Sequence, residues 1–251
     1  GPDDQHGRMN ELTPEKVKQG IAEVKTGQTF CLSMPLDYPG GAILNPRRHP
    51  PQIRPTLRND KPNWMYQAGW DHPGMVDVIN DDMVLLHLQY STQWDPLSHV
   101  GALFDADGDG KPEVVFYNGY RGGVELVGPS DPKQAGGVPG TMVPATGTSS
   151  AKALGVENMA NKCIQGRAVM VDIEAHHGRA HKPIGYDDLM RIFAADGIKI
   201  LPGDLVCFRT GFDEVLFEGK KKPDEHTLHN SCAGLDGSDQ RLLQWVTESK
   251  V

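Results

Sequence analysis

The sequence predicts an α/β fold in which one domain comprises residues 1–251. Residues 168–173 and 205–210 are short apolar runs with the length and composition of buried strands. Residues 186–197, between them, carry apolar side chains at helical spacing and end in glycine, which is typical of a helix C-terminus. A strand, a helix and a second strand in this order indicate an α/β arrangement. The length of 251 residues fits one large domain or two small ones.

The N-terminal part of the chain combines a helix, a strand and a long segment without a sustained pattern. Thr13 and Pro14 favour the start of a helix, and Gly27 suits the position just after its end. Residues 29–34 are predicted to form a strand. Residues 35–80 are rich in proline, arginine, asparagine and glycine and are interpreted as a long folded loop, with an unstructured linker as the alternative.

The clearest strand signal comprises residues 82–94, which are rich in β-branched, aliphatic and aromatic side chains. Pro96 prevents its continuation as a paired central strand. Residues 131–155 are rich in glycine, proline, threonine and serine and are interpreted as an excursion from the domain. The last residues, 242–251, have a helical pattern with no stop signal behind it, so the chain is expected to be part of a longer one.

Charge and composition exclude several kinds of partner. The chain has 25 Lys and Arg against 33 Asp and Glu, a net charge of -8, which argues against nucleic acid as a partner. It has no uncharged apolar run of about 18 residues, so no membrane span is expected and the protein is predicted to be soluble. The cysteines lie far apart and form no C-x-x-C motif, which favours a reducing compartment such as the cytoplasm. They are Cys31, Cys163, Cys207 and Cys232.

A continuous polar face follows the predicted strand and the residues just after it. With side chains alternating, Gln89, Gln93 and Asp95 share one face, and His99 follows within four residues. An antiparallel strand with one solvated face explains this pattern without any site. The same amide, carboxylate and imidazole donors also suit Zn²⁺ or Mn²⁺. A straight strand would hold the two amides about 13 Å apart, so joint metal binding requires a bend here.

Residues 89–99, QYSTQWDPLSH, have the form Q-x-x-x-Q-W-D-x-x-x-H. This resembles the H-x-x-x-H-x-D-x-x-x-H motif of the cyclase-like family of metal-dependent hydrolases, which includes kynurenine formamidase and isatin hydrolase. Glutamine at both histidine positions is similar to the zinc-dependent trans-dienelactone hydrolases. Further blocks fit the order of the family's segments over nearly the whole chain: residues 1–17, 116–119, 166–173 and 203–211.

The resemblance implies a fold and an assembly. It implies a mixed, largely antiparallel sheet or flattened barrel with helices on one side, of the swivelling β/β/α type, and it implies a homo-oligomer. The family places further His and Glu ligands beyond Val251. The domain is therefore expected to be incomplete at its C-terminus, with the N-terminus as a second place where residues are missing.

The resemblance also implies a site and a reaction. Gln89, Gln93 and Asp95 match metal ligands, and His99 matches the histidine that acts beside the metal as acid, base or further ligand. The implied reaction is hydrolysis of a small lactone or cyclic amide by a water whose pKa the ion lowers to about 7. A carboxylated substrate would need a cation, for which three arginines are equally eligible: Arg121, Arg179 and Arg209.

A second metal motif lies in residues 105–113, DADGDGKPE. Its acidic residues occupy positions 1, 3, 5 and 9 of a calcium loop, but Phe116 stands where an EF-hand needs glutamate, so an EF-hand is excluded. An ordinary turn rich in Gly and Asp is the alternative to bound Ca²⁺. The competing function is a non-catalytic, calcium-stabilised binding domain. The four acidic residues are Asp105, Asp107, Asp109 and Glu113.

Other aromatic and histidine side chains have weaker signals. Trp94 is expected to pack in the core, with a wall of the substrate pocket as the alternative. His229 is a weak candidate for facing the site. The three histidines of EAHHGRAH are interpreted as a solvated loop in preference to a metal site, because adjacent histidines on a regular element point apart. They are His176, His177 and His181.

Overall fold

A computed structural model of the protein describes residues 1–136 and 146–251. The described residues combine helices with short strands. Part of the predicted excursion, residues 137–145, lies outside the described residues. The helices are α1 Pro14–Ala22, α2 Val156–Lys162, α3 Ile173–His177, α4 Tyr186–Asp196, α5 Phe212–Glu218, α6 Glu225–Asn230 and α7 Gln240–Ser249.

The strands are short and pair two by two. Five pairs are antiparallel, β1 with β6, β2 with β3, β4 with β5, β7 with β8 and β9 with β10, and two are parallel, β11 with β13 and β12 with β14. Their bounds are β1 Gln52–Pro55, β2 Leu57–Arg58, β3 Lys61–Pro62, β4 Tyr66–Gln67, β5 Val78–Ile79, β6 Asp82–Leu85, β7 Ala102–Phe104, β8 Glu113–Val115, β9 Leu126–Val127, β10 Ser150–Ala151, β11 Ala168–Asp172, β12 Lys182–Ile184, β13 Leu205–Arg209 and β14 Ala233–Leu235.

The predicted strand, helix and strand of the C-terminal half are confirmed and contain the core. β11 and β13 pair in parallel, and α4 lies between them in sequence. Gly197 follows α4 with a φ of 64°, the left-handed conformation that glycine adopts without strain. The side chains packed here are almost fully buried, and burial of this kind is the main stabilising contribution to folding. They are Val171, Ile173, Ile184, Leu189, Ile192, Phe193, Ala233 and Leu242.

The expected single sheet or flattened barrel is not found among the described residues. The strands there form separate pairs, and none of these pairs closes into a barrel. The swivelling β/β/α type stays a prediction. Among the described residues, no helix is long and apolar enough to cross a membrane.

The N-terminal half differs from the sequence prediction in its elements. The helix is confirmed, with the Thr13 side chain accepting a hydrogen bond from the Lys16 N–H, but it ends at Ala22, before Gly27. Residues 29–34 were expected to form a strand and do not, since they have no pairing strand among the described residues and residues 29–33 are exposed. Residues 35–80, expected to be one long loop, contain β1 to β5.

The predicted strand 82–94 ends much earlier, at Leu85. Its partner β1 begins at Gln52, which pairs with Leu85. Pro50 and Pro51 come directly before Gln52, and proline has no N–H for a further ladder bond. The ladder therefore stops, and the interpretation of residues 84–95 as a strand with alternating faces is wrong.

Candidate functional site

The motif 89–99 lies in irregular chain after β6 and is shaped by two hydrogen-bonded turns. Tyr90 N–H donates to the His87 carbonyl, and His99 N–H donates to the Pro96 carbonyl, 3.0 Å each, which closes two successive turns. The amide nitrogen of Gln89 consequently lies 3.4 Å from both ring nitrogens of His99. Residues ten positions apart in sequence thus meet in space.

Asp95 and His99 form the central contact of the motif. Oδ1 of Asp95 is in direct contact with Nδ1 of His99. A carboxylate at Nδ1 fixes the orientation of an imidazole and leaves the other ring nitrogen to act as a base or ligand. The Asp95 side chain is 58% exposed and that of His99 33%, so solvent and a small molecule can reach both groups.

Gln93 and Trp94, the other two predicted site residues, are exposed and take no part in this contact. Gln93 is exposed, and within the described residues its side chain forms no hydrogen bond with Gln89, Asp95 or His99. Trp94 is 62% exposed, so the expectation that it packs in the core is wrong. The reason is the early end of β6, which leaves no sheet face for the indole to cover.

Within the motif, the Gln89 amide and the His99 imidazole have the spacing of two ligands of one zinc ion. Donor atoms of a tetrahedral zinc site, each about 2.1 Å from the ion, lie about 3.4 Å apart. The amide of Gln89 lies at that distance from the imidazole of His99. Turning the amide by half a rotation exchanges its nitrogen for its oxygen, which is the atom that binds a cation. Asp95 has a second carboxylate oxygen besides the one in contact with His99.

A small cavity lies between Gln89 and residues 39–48, which are called the upstream loop. It measures about 130 Å³ and is lined by Arg48, Gln89 and Tyr90 among others. Nη1 of Arg48 donates to the backbone carbonyl of Gln89 at 2.8 Å, and the buried Tyr90 hydroxyl donates to the Gly41 carbonyl at 2.7 Å. Burial raises the pKa of Tyr90, so its phenol stays neutral. Sequence reasoning missed Arg48, although the basic residues of PRRH offered a signal.

Two histidines flank the same loop. The rings of His49 and His87 have their centroids 5.4 Å apart, and Nδ1 of His87 lies 3.3 Å from the His49 backbone nitrogen. These contacts connect the segment after β6 with the segment before β1. The upstream loop and the motif therefore form one local structure.

A family model described as "Putative cyclase" matches residues 31–251, which include the motif and its cavity. The chain belongs to the cyclase family. Members of this family include hydrolases such as kynurenine formamidase. A solved structure described as a novel cyclase is similar to the chain, with 28% identity and a TM-score of 0.66, and the match covers 100% of this chain and 70% of the other. No curated protein matches the chain.

The cyclase chain also carries the acidic cluster predicted from residues 105–113. It lies at the turn between β7 and β8, and the ligand atoms of all four acidic side chains lie within 4.8 Å of one another. Among the described residues, no other group of three or more His, Cys, Asp or Glu is placed to hold a metal ion. The cluster could therefore bind a cation. Its members are Asp105, Asp107, Asp109 and Glu113.

The acidic cluster is shaped by hydrogen bonds within the turn. Both carboxylate oxygens of Asp105 accept backbone N–H groups, from Gly108 at 2.7 Å and from Gly110 at 2.9 Å. The backbone N–H of Ala106 and the nearby Arg121 guanidinium lower the pKa of Glu113, and partial desolvation opposes them. These contacts hold the carboxylates close together, and they also fit an ordinary turn.

The histidines of the segment 176–181 have separate surroundings. Nε2 of His176 lies 2.9 Å from a carboxylate oxygen of Asp196, whereas Nδ1 of His177 lies 3.5 Å from Nζ of Lys182. His181 is exposed. His176 and His177 lie on α3, so the predicted solvated loop is wrong for these two residues. His229 lies on α6 and is also exposed.

Proposed function

We propose that the protein is a metal-dependent hydrolase that opens a small lactone or cyclic amide. The observation that carries the proposal is the contact between Asp95 and His99 with the Gln89 amide beside them, in a chain of the cyclase family. A carboxylate, an imidazole and amide oxygens are donors that zinc and manganese accept. The chain's partner in this proposal is a small molecule, which agrees with its net charge of -8.

The residues proposed to hold Zn²⁺ or Mn²⁺ are Gln89, Gln93 and Asp95. When bound, the cation supplies Lewis acidity to the acyl carbonyl of the substrate. Both amides are neutral, so they offset less of the ion's charge than anionic ligands do. Asp95 contributes the one negative charge of the set, which makes it the ligand on which affinity depends most.

We propose that His99 transfers a proton from the attacking water to the leaving group. With Asp95 accepting from Nδ1–H, the lone pair of Nε2 takes a proton from the attacking water as its oxygen bonds to the acyl carbon. The ring C–O or C–N bond then breaks, and His99 returns the proton to the leaving oxygen or nitrogen. Trp94 presents an exposed apolar face next to Asp95, and we propose it as a wall of the substrate pocket.

Metal content and hydrolysis of a panel of lactones and cyclic amides test the function. The purified protein is assayed as isolated, after chelation and after return of Zn²⁺ or Mn²⁺. We expect ring opening that is lost on chelation and restored by the ion, with metal bound to the protein in the same samples. Hydrolysis that persists in metal-free protein, or no hydrolysis with either ion, would refute the proposal.

The acidic cluster supports a second candidate, a calcium-stabilised binding domain. If Ca²⁺ binds the folded state, a concentration 100 times Kd stabilises it by about 2.7 kcal/mol. For a chain of this size that raises Tm by roughly 5–10 °C. We expect this rise with millimolar Ca²⁺, a smaller one with Mg²⁺, and none in Asp107→Ala. Equal melting curves with and without Ca²⁺ would mean that residues 105–113 form an ordinary turn without bound Ca²⁺. A rise in Tm in a protein that hydrolyses no lactone or amide would favour the second candidate.

We also propose that copies of this chain associate. Two-stranded hairpins are marginal by themselves, and those between residues 52 and 127 carry large apolar side chains facing solvent. A second copy that covers them would bury this surface. Light scattering during size exclusion should then give a multiple of 27.4 kDa, and a single 27.4 kDa species at micromolar concentration would contradict it. Between residues 52 and 127, the large apolar side chains at least 67% exposed are Ile53, Leu57, Val76, Leu88, Val100 and Leu103.

A further inference from the structure

The arginines that the sequence offered for an anionic substrate are all paired with carboxylates of the protein. Two of them, on β13 and near the end of α3, form a network with acidic residues of α3 and α5. The pKa of Glu174 in this network is lowered, chiefly by its hydrogen bond from Arg179. These side chains stabilise the fold and have their charge neutralised. The pairs are Arg179 with Glu174, Glu214 and Glu218, Arg209 with Asp172, Glu174 and Glu214, and Arg121 with Glu113.

Arg48 differs from these three arginines in its position and in the groups with which its guanidinium interacts. Its half-buried side chain lies against the motif, with Nη1 on the Gln89 carbonyl at 2.8 Å. Within residues 1–136 and 146–251, no carboxylate lies within ion-pair distance of its guanidinium. A guanidinium has five N–H donors, and the Gln89 carbonyl occupies one nitrogen. The remaining donors and the full positive charge are left for a ligand.

The cavity beside Arg48 has the size of a substituent and not of a whole substrate. Ligand sites for entire small molecules measure about 300–1,000 Å³, whereas this cavity measures about 130 Å³. It opens next to Gln89, so a ring placed at the motif can direct one substituent into it. Pro39 and Leu44 contribute apolar walls, and Asn45 adds an amide.

The charges around the cavity also favour an anion. The Asp37 carboxylate does not line the cavity and is in contact with the Lys221 ammonium. The Tyr90 hydroxyl donates to the Gly41 carbonyl at 2.7 Å. The charge that lines the cavity is therefore the single positive charge of Arg48. A planar carboxylate matches a guanidinium with two parallel hydrogen bonds.

We propose that Arg48 binds a carboxylate substituent of the substrate and thereby selects carboxylated lactones or amides. The proposal rests on the proposed function and specifies its substrate class. Arg48 is a specificity-determining residue in it, while Asp95 and His99 act at the ring. The hydrogen bond to Gln89 fixes the guanidinium relative to the motif, so the distance between the anion and the ring to be opened is set by the fold.

A matched pair of substrates and a matched pair of variants test the proposal. The substrates are an unsaturated five-membered lactone with a carboxymethyl group and its methyl ester, which differ in charge. The variants are Arg48→Gln and Arg47→Gln, which remove the same charge from neighbouring positions. Arg47 is exposed and does not line the cavity, so it controls for the change in net charge.

For Arg48→Gln we expect kcat/KM to fall about 10- to 150-fold for the acid, the loss typical of one hydrogen bond to a charged group. The ester should change less than threefold, and Arg47→Gln should leave both substrates unchanged. Equal losses for acid and ester in Arg48→Gln would mean that Arg48 only holds the loop, and unchanged values for both would also overturn the proposal.

A binding measurement separates this proposal from the proposed function. Cyclopentanecarboxylate has the anion but no bond to hydrolyse, and its binding is measured by calorimetry. We expect binding to the parent and to Arg47→Gln, with at least a tenfold loss in Arg48→Gln. If the parent binds this probe through Arg48 yet hydrolyses no lactone, the proposed function fails and the anion site stands. If it hydrolyses lactones but binds the probe equally well without Arg48, the anion site fails alone.

Discussion

Replacement of Asp95 by alanine is expected to remove the metal ion and to lower kcat/KM for lactone hydrolysis by at least about 1,000-fold. General acid–base catalysis contributes about 10²–10⁴-fold, and a lost ligand adds to that. Asp95 is the only anionic member of the motif and also the group that contacts Nδ1 of His99. One substitution thus removes both the charge that holds the ion and the contact that orients the proton-transfer group.

The fold should survive this change. The Asp95 side chain is 58% exposed, and substitutions at such positions typically alter the free energy of unfolding by about 0.5 kcal/mol or less. Asp82→Ala is the control, because Asp82 is an exposed carboxylate at the start of β6, the strand that precedes the motif. Metal content, kcat/KM and Tm are measured for both variants. Stoichiometric metal in folded Asp95→Ala protein would show that the ligand assignment is wrong.

The elements that sequence predicted correctly are those whose determinants are local. α4 has its apolar stripe and its terminal glycine within twelve residues, and β11 and β13 are short apolar runs that pair with each other. The C-terminal end of β6 could not be predicted from local sequence in this way. The length of β6 depends on Pro50 and Pro51, which lie more than thirty residues away and end the pairing strand. Periodicity within residues 82–94 contains no information about that partner.

The same distinction applies to the candidate site. Asp95 and His99 are four residues apart with a turn between them, so their contact can be anticipated from the motif itself. The contact between Arg48 and Gln89 joins residues 41 positions apart, with β1 to β6 between them in sequence. Neither helical nor strand spacing relates the two positions. Only the folded loop identifies Arg48 as the cation at the motif.

The second large effect is expected in the buried ion pair that joins α1 to the start of β13. Nζ of Lys16 lies 2.8 Å from Oδ1 of Asp204, with the lysine side chain 5% exposed and the aspartate fully buried. Oδ2 of Asp204 accepts the Leu201 N–H at 2.7 Å and contacts the Arg167 guanidinium. Asp204→Ala leaves Lys16 charged and buried without its partner, which typically costs about 3–5 kcal/mol.

A loss of that size is a large part of the roughly 5–15 kcal/mol that stabilises a folded domain, and it should lower Tm by roughly 6–20 °C. Asp187→Ala is the control, because Asp187 pairs with Arg241 at the surface, where such pairs contribute about 1 kcal/mol or less.

The double variant Lys16→Met with Asp204→Ala identifies the cause of the loss. If the unpaired Lys16 ammonium is responsible, removing it should restore most of the lost stability, because an apolar side chain can occupy the same buried position. Thermal and urea unfolding measure all the variants under one condition. A double variant as unstable as Asp204→Ala would instead assign the cost to the Leu201 N–H and the Arg167 guanidinium, which lose this acceptor in both proteins.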